Sequence, residues 1–288
     1  MSAPTFNSST GHDERSQAHA SSAHEPDRQG QPGGGVDVVA TAGETIGQIV
    51  DTPSALEFMR DALEKISEEE LTALVAELRL KSQHIRHRLA PATLPAFEEV
   101  AWHSLLRSIF STRRRVAEIV TQVDAVAFRE AVGTLLHGQE PLAARFDTFC
   151  ERLEPLDLSI RCDLAGECLH YWDADHYWLW TRWIWDPLHR TGALPLVTIQ
   201  EYDLHGETPG LTYVKVGEAM AFLNSVGEAA GFQRGGRGLL GTDVYLACVY
   251  VVYLYTVTRM RMTKEFTKVM PRFPELIRRL LGTYNMEV

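Results

Sequence analysis

Apolar positions recur at intervals of three and four along most of the chain from residue 54 onward. Leu56, Met59, Leu63 and Ile66 follow Pro53 and a Ser54/Glu57 pair with capping-box spacing. Ser67 and Glu70 repeat that spacing ahead of a stripe through Leu71, Leu74, Val75, Leu78, Ile85 and Leu89, which Pro91 stops. A further run starts near Pro95 with Phe97, Val100, Trp102, Leu105, Leu106, Ile109 and Phe110. It resumes after Arg113-Arg114-Arg115 with Val116, Ile119, Val120 and Val123. Asp124 is placed to cap Val126 to His137, with Gly138 at the end, and Pro141 opens a helix through Phe146, Phe149 and Leu153. Five or six helices joined by short connections predict an all-α bundle.

The second half is less periodic. Ile160 to Tyr171 predicts a helix and Asp173-Ala174-Asp175 a turn. His176 to Trp185 is unusually aromatic, and its period is ambiguous between helix and strand. Residues 194–204 and 211–216 have β character with HGETPG between them, so a small β-hairpin is expected near residues 194–216. Gly217 to Ala230 is helical, residues 231–241 form a glycine-rich loop, and Thr242 or Asp243 is placed to cap the helix that follows. Thr263 to Leu281 closes the chain, with breaks expected near Pro271 and Pro274. The fold class is mainly α: a multi-helix bundle with one hairpin.

Residues 1–35 hold almost no large apolar side chains, so burial cannot offset their ordering entropy and a disordered tail is expected. A short helix is expected to start at Thr45. Residues 36–288 are read as a single helical domain, with a possible subdivision near 155. The N-terminus lacks the basic and apolar regions of a secretory signal. The uncharged run Val244 to Thr258 falls short of the roughly 20 residues a helical span needs and carries four tyrosines, so it is read as a buried core helix in a cytoplasmic protein.

Charge narrows the classes. The chain of 288 residues carries 28 Lys+Arg against 38 Asp+Glu, a net −10. A protein that coats nucleic acid needs the opposite balance. Arg113-Arg114-Arg115 and the basic stretch Arg259, Arg261, Lys264, Lys268, Arg272, Arg278 and Arg279 are local exceptions. Four cysteines exclude a disulfide-stapled scaffold.

Four constellations carry possible chemistry. Gly236, Gly238 and Gly241 match G-x-G-x-x-G, but no strand-like segment precedes them and no carboxylate follows at the ribose-binding distance. Cys162, Cys168, His170 and His176 are zinc-capable, yet their spacing departs from structural zinc sites, so no metal is expected. Asp175 and His176, beside Arg182, form an acid–base candidate for catalysis. Five of the six tryptophans (Trp172, Trp178, Trp180, Trp183 and Trp185) fall within 14 residues, and one element cannot point all of them inward.

From these, Trp178, Trp180 and Arg182 are expected to form a recognition surface, since exposed Trp and Arg dominate binding hot spots. The leading expectation is a non-catalytic helical accessory subunit or interaction protein that docks to a larger cytoplasmic enzyme assembly. The alternatives are an enzyme or small-ligand binder with a pocket between the Trp-rich segment and the glycine-rich loop, and a helical nucleic-acid-associated protein. No motif designates a cofactor.

Overall fold

The longest of the early stripes folds as its ends dictate. The Ser67 hydroxyl accepts from the Glu70 N–H at 3.2 Å, and the Glu70 carboxylate accepts from the Ser67 N–H at 3.3 Å. In the computed structural model, which describes residues 49–261 and 270–284, this box starts α2 (Glu68–Leu89). Before it comes α1 (Thr52–Leu63); after it come α3 (Glu99–Ser108), α4 (Val116–Gln122), α5 (Ala125–His137), α6 (Leu142–Arg152) and α7 (Leu158–Trp172). The second half adds α8 (Pro209–Ala230), α9 (Leu239–Arg261) and α10 (Phe273–Leu281). Asp124 caps α5 through the Ala127 N–H at 2.8 Å, as its position predicts.

Two helices form the centre. α7 packs against α2, α5 and α6, and α9 against α1, α2, α8 and α10. Both are buried over most of their length, as helices covered on several sides must be. Trp102 stacks on Phe128, which meets Phe149 edge-on, while Phe146 stacks between Trp180 and Tyr213.

The expected hairpin at 194–216 is absent: no strand occurs among the described residues, only the isolated bridges Val50–Thr198 and Asp186–Thr191. Leu194–Leu196 is a single 3-10 turn, and the residues expected as the second strand form the first turns of α8. Thr208 caps that helix through the Leu211 N–H at 3.2 Å, and Pro209 suits its first turn. Thr212 and Val216 are then buried on one helical face, so burial overrides their β-branched preference. Gly210 permits the packing, because a Cβ there would lie 2.0 Å from the Ala143 carbonyl oxygen.

Other boundaries differ more finely. Asp51 rather than Ser54 caps α1, accepting from the Ser54 N–H and hydroxyl. Thr242 and Asp243 lie inside the first turn of α9 instead of capping it. The break expected near Pro271 and Pro274 is present, since residues 270–272 are non-helical and α10 starts at Phe273 with Pro274 in its first turn, while the expected helical stretch over 263–269 lies outside the described residues. Residues 177–185 are irregular backbone and turns, neither helix nor strand, which explains their ambiguous period. The expectations for residues 1–35 and for a helix at Thr45 lie outside the described residues. In α9, Leu239–Thr258 is long and apolar enough to cross a membrane by length and composition, with a mean hydropathy of 1.5 and 61% of the window buried. It exceeds the uncharged run Val244 to Thr258 because Leu239 to Thr242 adds one uncharged turn before Asp243.

Candidate functional site

Helix α7 places Asp163, Glu167 and His170 at i, i+4 and i+7, which puts all three on one face. That face is buried, and each group has a partner of opposite charge. The Glu167 carboxylate meets the Lys81 ammonium of α2 at 2.8 Å, both 1% exposed. His170 Nε2 lies 2.7 Å from the Asp243 carboxylate of α9. Asp163 accepts from the Arg182 backbone N–H and from its Nε, each at 2.9 Å. Lys81 also donates to the Leu281 carbonyl at 2.9 Å, the C-terminal end of α10, and stands over the Tyr171 ring. Gly282 turns the chain there with φ of 72°, and a Cβ on it would lie 2.8 Å from the Lys81 ammonium.

Burial pushes the Asp163 and Glu167 carboxyls up against the pull of Arg182 and Lys81. It pushes Lys81 down against the pull of Glu167. His170 is different. Burial opposes its charge, but Asp243 and the Tyr177 carbonyl, 2.7 Å from Nδ1, outweigh that and raise its pKa.

This row of ion pairs lies beneath two clefts. The first, of about 1080 Å³, is lined by Lys81, His84, Arg88, Arg107, Arg113 and Arg114 together with Arg279, and among the described residues by no carboxylate side chain. The second, of about 640 Å³, is lined by Asp163, Glu167, Thr181, Arg182, Trp183 and Tyr250 among others. Arg113, Arg114 and Arg279 border both and form a cationic ridge. The turn after α3 carries Arg113 and Arg114, and α10 carries Arg279. Arg113 donates to the Arg279 carbonyl at 3.4 Å and stacks on Phe110. Its pKa is lowered by burial and by the neighbouring Arg114 and Arg279 charges. Arg115 borders the second cleft but is committed to Glu118 and Asp157.

The sequence-predicted residues fall elsewhere in part. Asp175 and His176 are exposed on the turn after α7, where His176 Nδ1 pairs with Asp173 rather than Asp175 at 2.9 Å. Trp180 is 3% exposed, stacked on Phe146, and its N–H donates to the Trp185 carbonyl at 2.9 Å. Trp178 is half-buried, and Arg182 is half-buried in the wall of the second cleft. Trp183 and Trp185 are buried and Trp172 half-buried, so none of the five tryptophans is exposed.

The zinc-capable set does not converge. Cys162 neighbours Cys150, Cys168 is buried beside Lys81 and Glu167, and His176 points to solvent. Among the described residues, no group of three metal ligands occurs. The glycine-rich loop packs Gly235 on Leu71, and Glu228 takes the Gly238 N–H at 3.3 Å. That backbone donor already has an anionic partner. Sequence reasoning missed Lys81, Asp163, Glu167 and Asp243. The signal was Lys81 standing within the apolar stripe of α2, and the i, i+4, i+7 spacing on α7.

Comparison with known protein families, with curated proteins and with solved structures finds no match for this chain.

Proposed function

We propose that this protein binds a small polyanionic molecule at the Arg113–Arg114–Arg279 ridge. The observation that carries this reading is the first cleft, which among the described residues gathers cationic side chains and no carboxylate. Lys81 and Arg279 have carboxylate partners in Glu167 and Glu275, whereas Arg88, Arg107, Arg113 and Arg114 have none among the described residues. Guanidinium groups match phosphate and carboxylate oxygens in pairs, and holding several together without an anion is unfavourable. This is the small-ligand reading of the sequence with one wall changed. The Trp-rich segment borders the second cleft, but the turn of Arg113 and Arg114 replaces the glycine-rich loop. Isothermal titration with inorganic phosphate and with pyrophosphate tests it. Saturable binding is expected, weakened on the order of tenfold by Arg113→Gln, since a charged hydrogen bond contributes about 1.5–3 kcal/mol. Failure of both anions to bind overturns the reading.

Docking to a larger cytoplasmic assembly as an accessory subunit is the second reading. Leu188, 84% exposed in the loop closed by Asp186 and Thr191, favours it, with Trp178 and Arg182 as neighbours in sequence. The burial of Trp180 removes one of its expected contacts. A native particle larger than the monomer that is lost with Leu188→Asp would support it; a monomer in native extracts would not. The four free, buried cysteines suit a reducing compartment such as the cytoplasm. A nucleic-acid role has less support, because Arg115 is already paired and the body is acidic.

A further inference from the structure

The second cleft differs from the first in what it lacks and what it leaves open. Its floor carries the Asp163 and Glu167 carboxylates, but Arg182 and Lys81 already neutralise them. The floor is therefore polar and close to neutral. The atoms on its wall that are buried without a hydrogen-bond partner among the described residues include, besides Ser111 Oγ and Arg279 Nε, the Thr181 hydroxyl and the Trp183 indole N–H, on residues 5% and 4% exposed. A buried donor left unsatisfied is destabilising, and a bound polar molecule would relieve it. Thr181 and Trp183 come from the turn that follows Trp180, and Gly166 of α7 fixes that turn. A Cβ on Gly166 would lie 2.1 Å from the Trp180 carbonyl oxygen, so only glycine lets the segment lie on the helix.

We infer that the second cleft holds the hydroxylated, uncharged body of an organic phosphate whose phosphate group sits on the arginine ridge. The inference rests on the anion reading above and adds the substrate class. The chemistry of the wall is selective. Carboxylate oxygens accept from hydroxyls, Thr181 donates or accepts, and the indole N–H needs an acceptor. A second anionic group here would find Arg182 and Lys81 already held by Asp163 and Glu167, which disfavours diphosphates spanning both clefts and dicarboxylates. A cavity of 640 Å³ is within the size range of small-molecule sites. Shared lining by Arg113, Arg114 and Arg279 gives one molecule access to both chemistries.

The test is titration of the full chain with inorganic phosphate, glycerol 3-phosphate and ribose 5-phosphate. At least one ester is expected to bind on the order of tenfold tighter than phosphate, the equivalent of one or two added hydrogen bonds. Thr181→Val and Trp183→Phe should each reduce that advantage while leaving phosphate binding unchanged. Arg114→Gln should weaken phosphate and ester alike. If phosphate binds and neither ester exceeds it, the inference is overturned while the anion reading stands. Equal losses for phosphate and ester in Thr181→Val also overturn it. If nothing binds, both fall. The wild-type comparison needs no variant, so misfolding of Trp183→Phe does not remove the test.

Discussion

His170 has an acceptor at each ring nitrogen, the Tyr177 carbonyl at Nδ1 and the Asp243 carboxylate at Nε2. Both neighbours favour the protonated ring. Burial opposes that charge, yet the balance leaves the pKa raised. A basic group raised on folding contributes stability that is complete below its unfolded pKa, about 6.5, and lost as pH rises through the folded value. Other groups on the same face titrate too. Glu167, raised by burial, also costs stability as pH rises, while Lys81, lowered by burial, acts the other way at higher pH. The difference between the wild type and His170→Gln isolates the histidine. Urea unfolding of both at stepped pH should show that difference shrinking from pH 6 upward; a gap that stays constant or widens would mean that folding does not raise the His170 pKa. None of this was readable residue by residue. His170 stood out in the sequence only as a zinc-capable ligand, because its real partner lies 73 positions away on α9.

At the scale of elements, the connection between α7 and the tryptophan turn depends on one missing methyl group. Gly166 lies in mid-helix, where alanine is intrinsically favoured by about 1 kcal/mol. Here that preference is outweighed, because the added Cβ would meet the backbone oxygen of Trp180 at 2.1 Å. Backbone cannot swing aside as a flexible side chain does. Gly166→Ala should therefore destabilise the protein by about 1–3 kcal/mol, as overpacking does, and chemical denaturation measures it. An unchanged or higher midpoint would show that the turn can lift off the helix. The first half of the chain was legible as helices because its signals are local: Ser67 with Glu70, Asp124, Pro141. Residues 211–216 were not, since Leu-Thr-Tyr-Val-Lys-Val reads as strand until Thr208 caps it and α6 covers it. The tryptophan segment read as helix or strand alike because it has no regular structure; its order comes from contacts such as Phe146 with Trp180.

For the whole molecule, a net charge of −10 surrounds a ridge where three guanidinium groups meet. The overall sign is plain from composition, and it argues against treating the chain as a nucleic-acid coat. The local concentration was hidden because Arg113 and Arg114 are 165 or more positions from Arg279. Such a ridge costs stability when empty. Arg113 shows the strain, its pKa held down by burial and by the adjacent Arg114 and Arg279 charges. Arg114 is exposed, so water and salt screen much of the repulsion. Removing its charge should raise the stability of the unliganded protein by a few tenths, up to about 0.5 kcal/mol, the scale of exposed charge interactions. Phosphate should reverse the order. A ligand that binds only the folded state adds RT ln(1 + [L]/Kd), and the tighter binder gains more. Melting curves of the wild type and Arg114→Gln, with and without phosphate, should therefore cross: the variant is more stable without the anion and less stable with it. Lower stability of the variant in both conditions would make Arg114 a structural contact and withdraw it from the binding ridge.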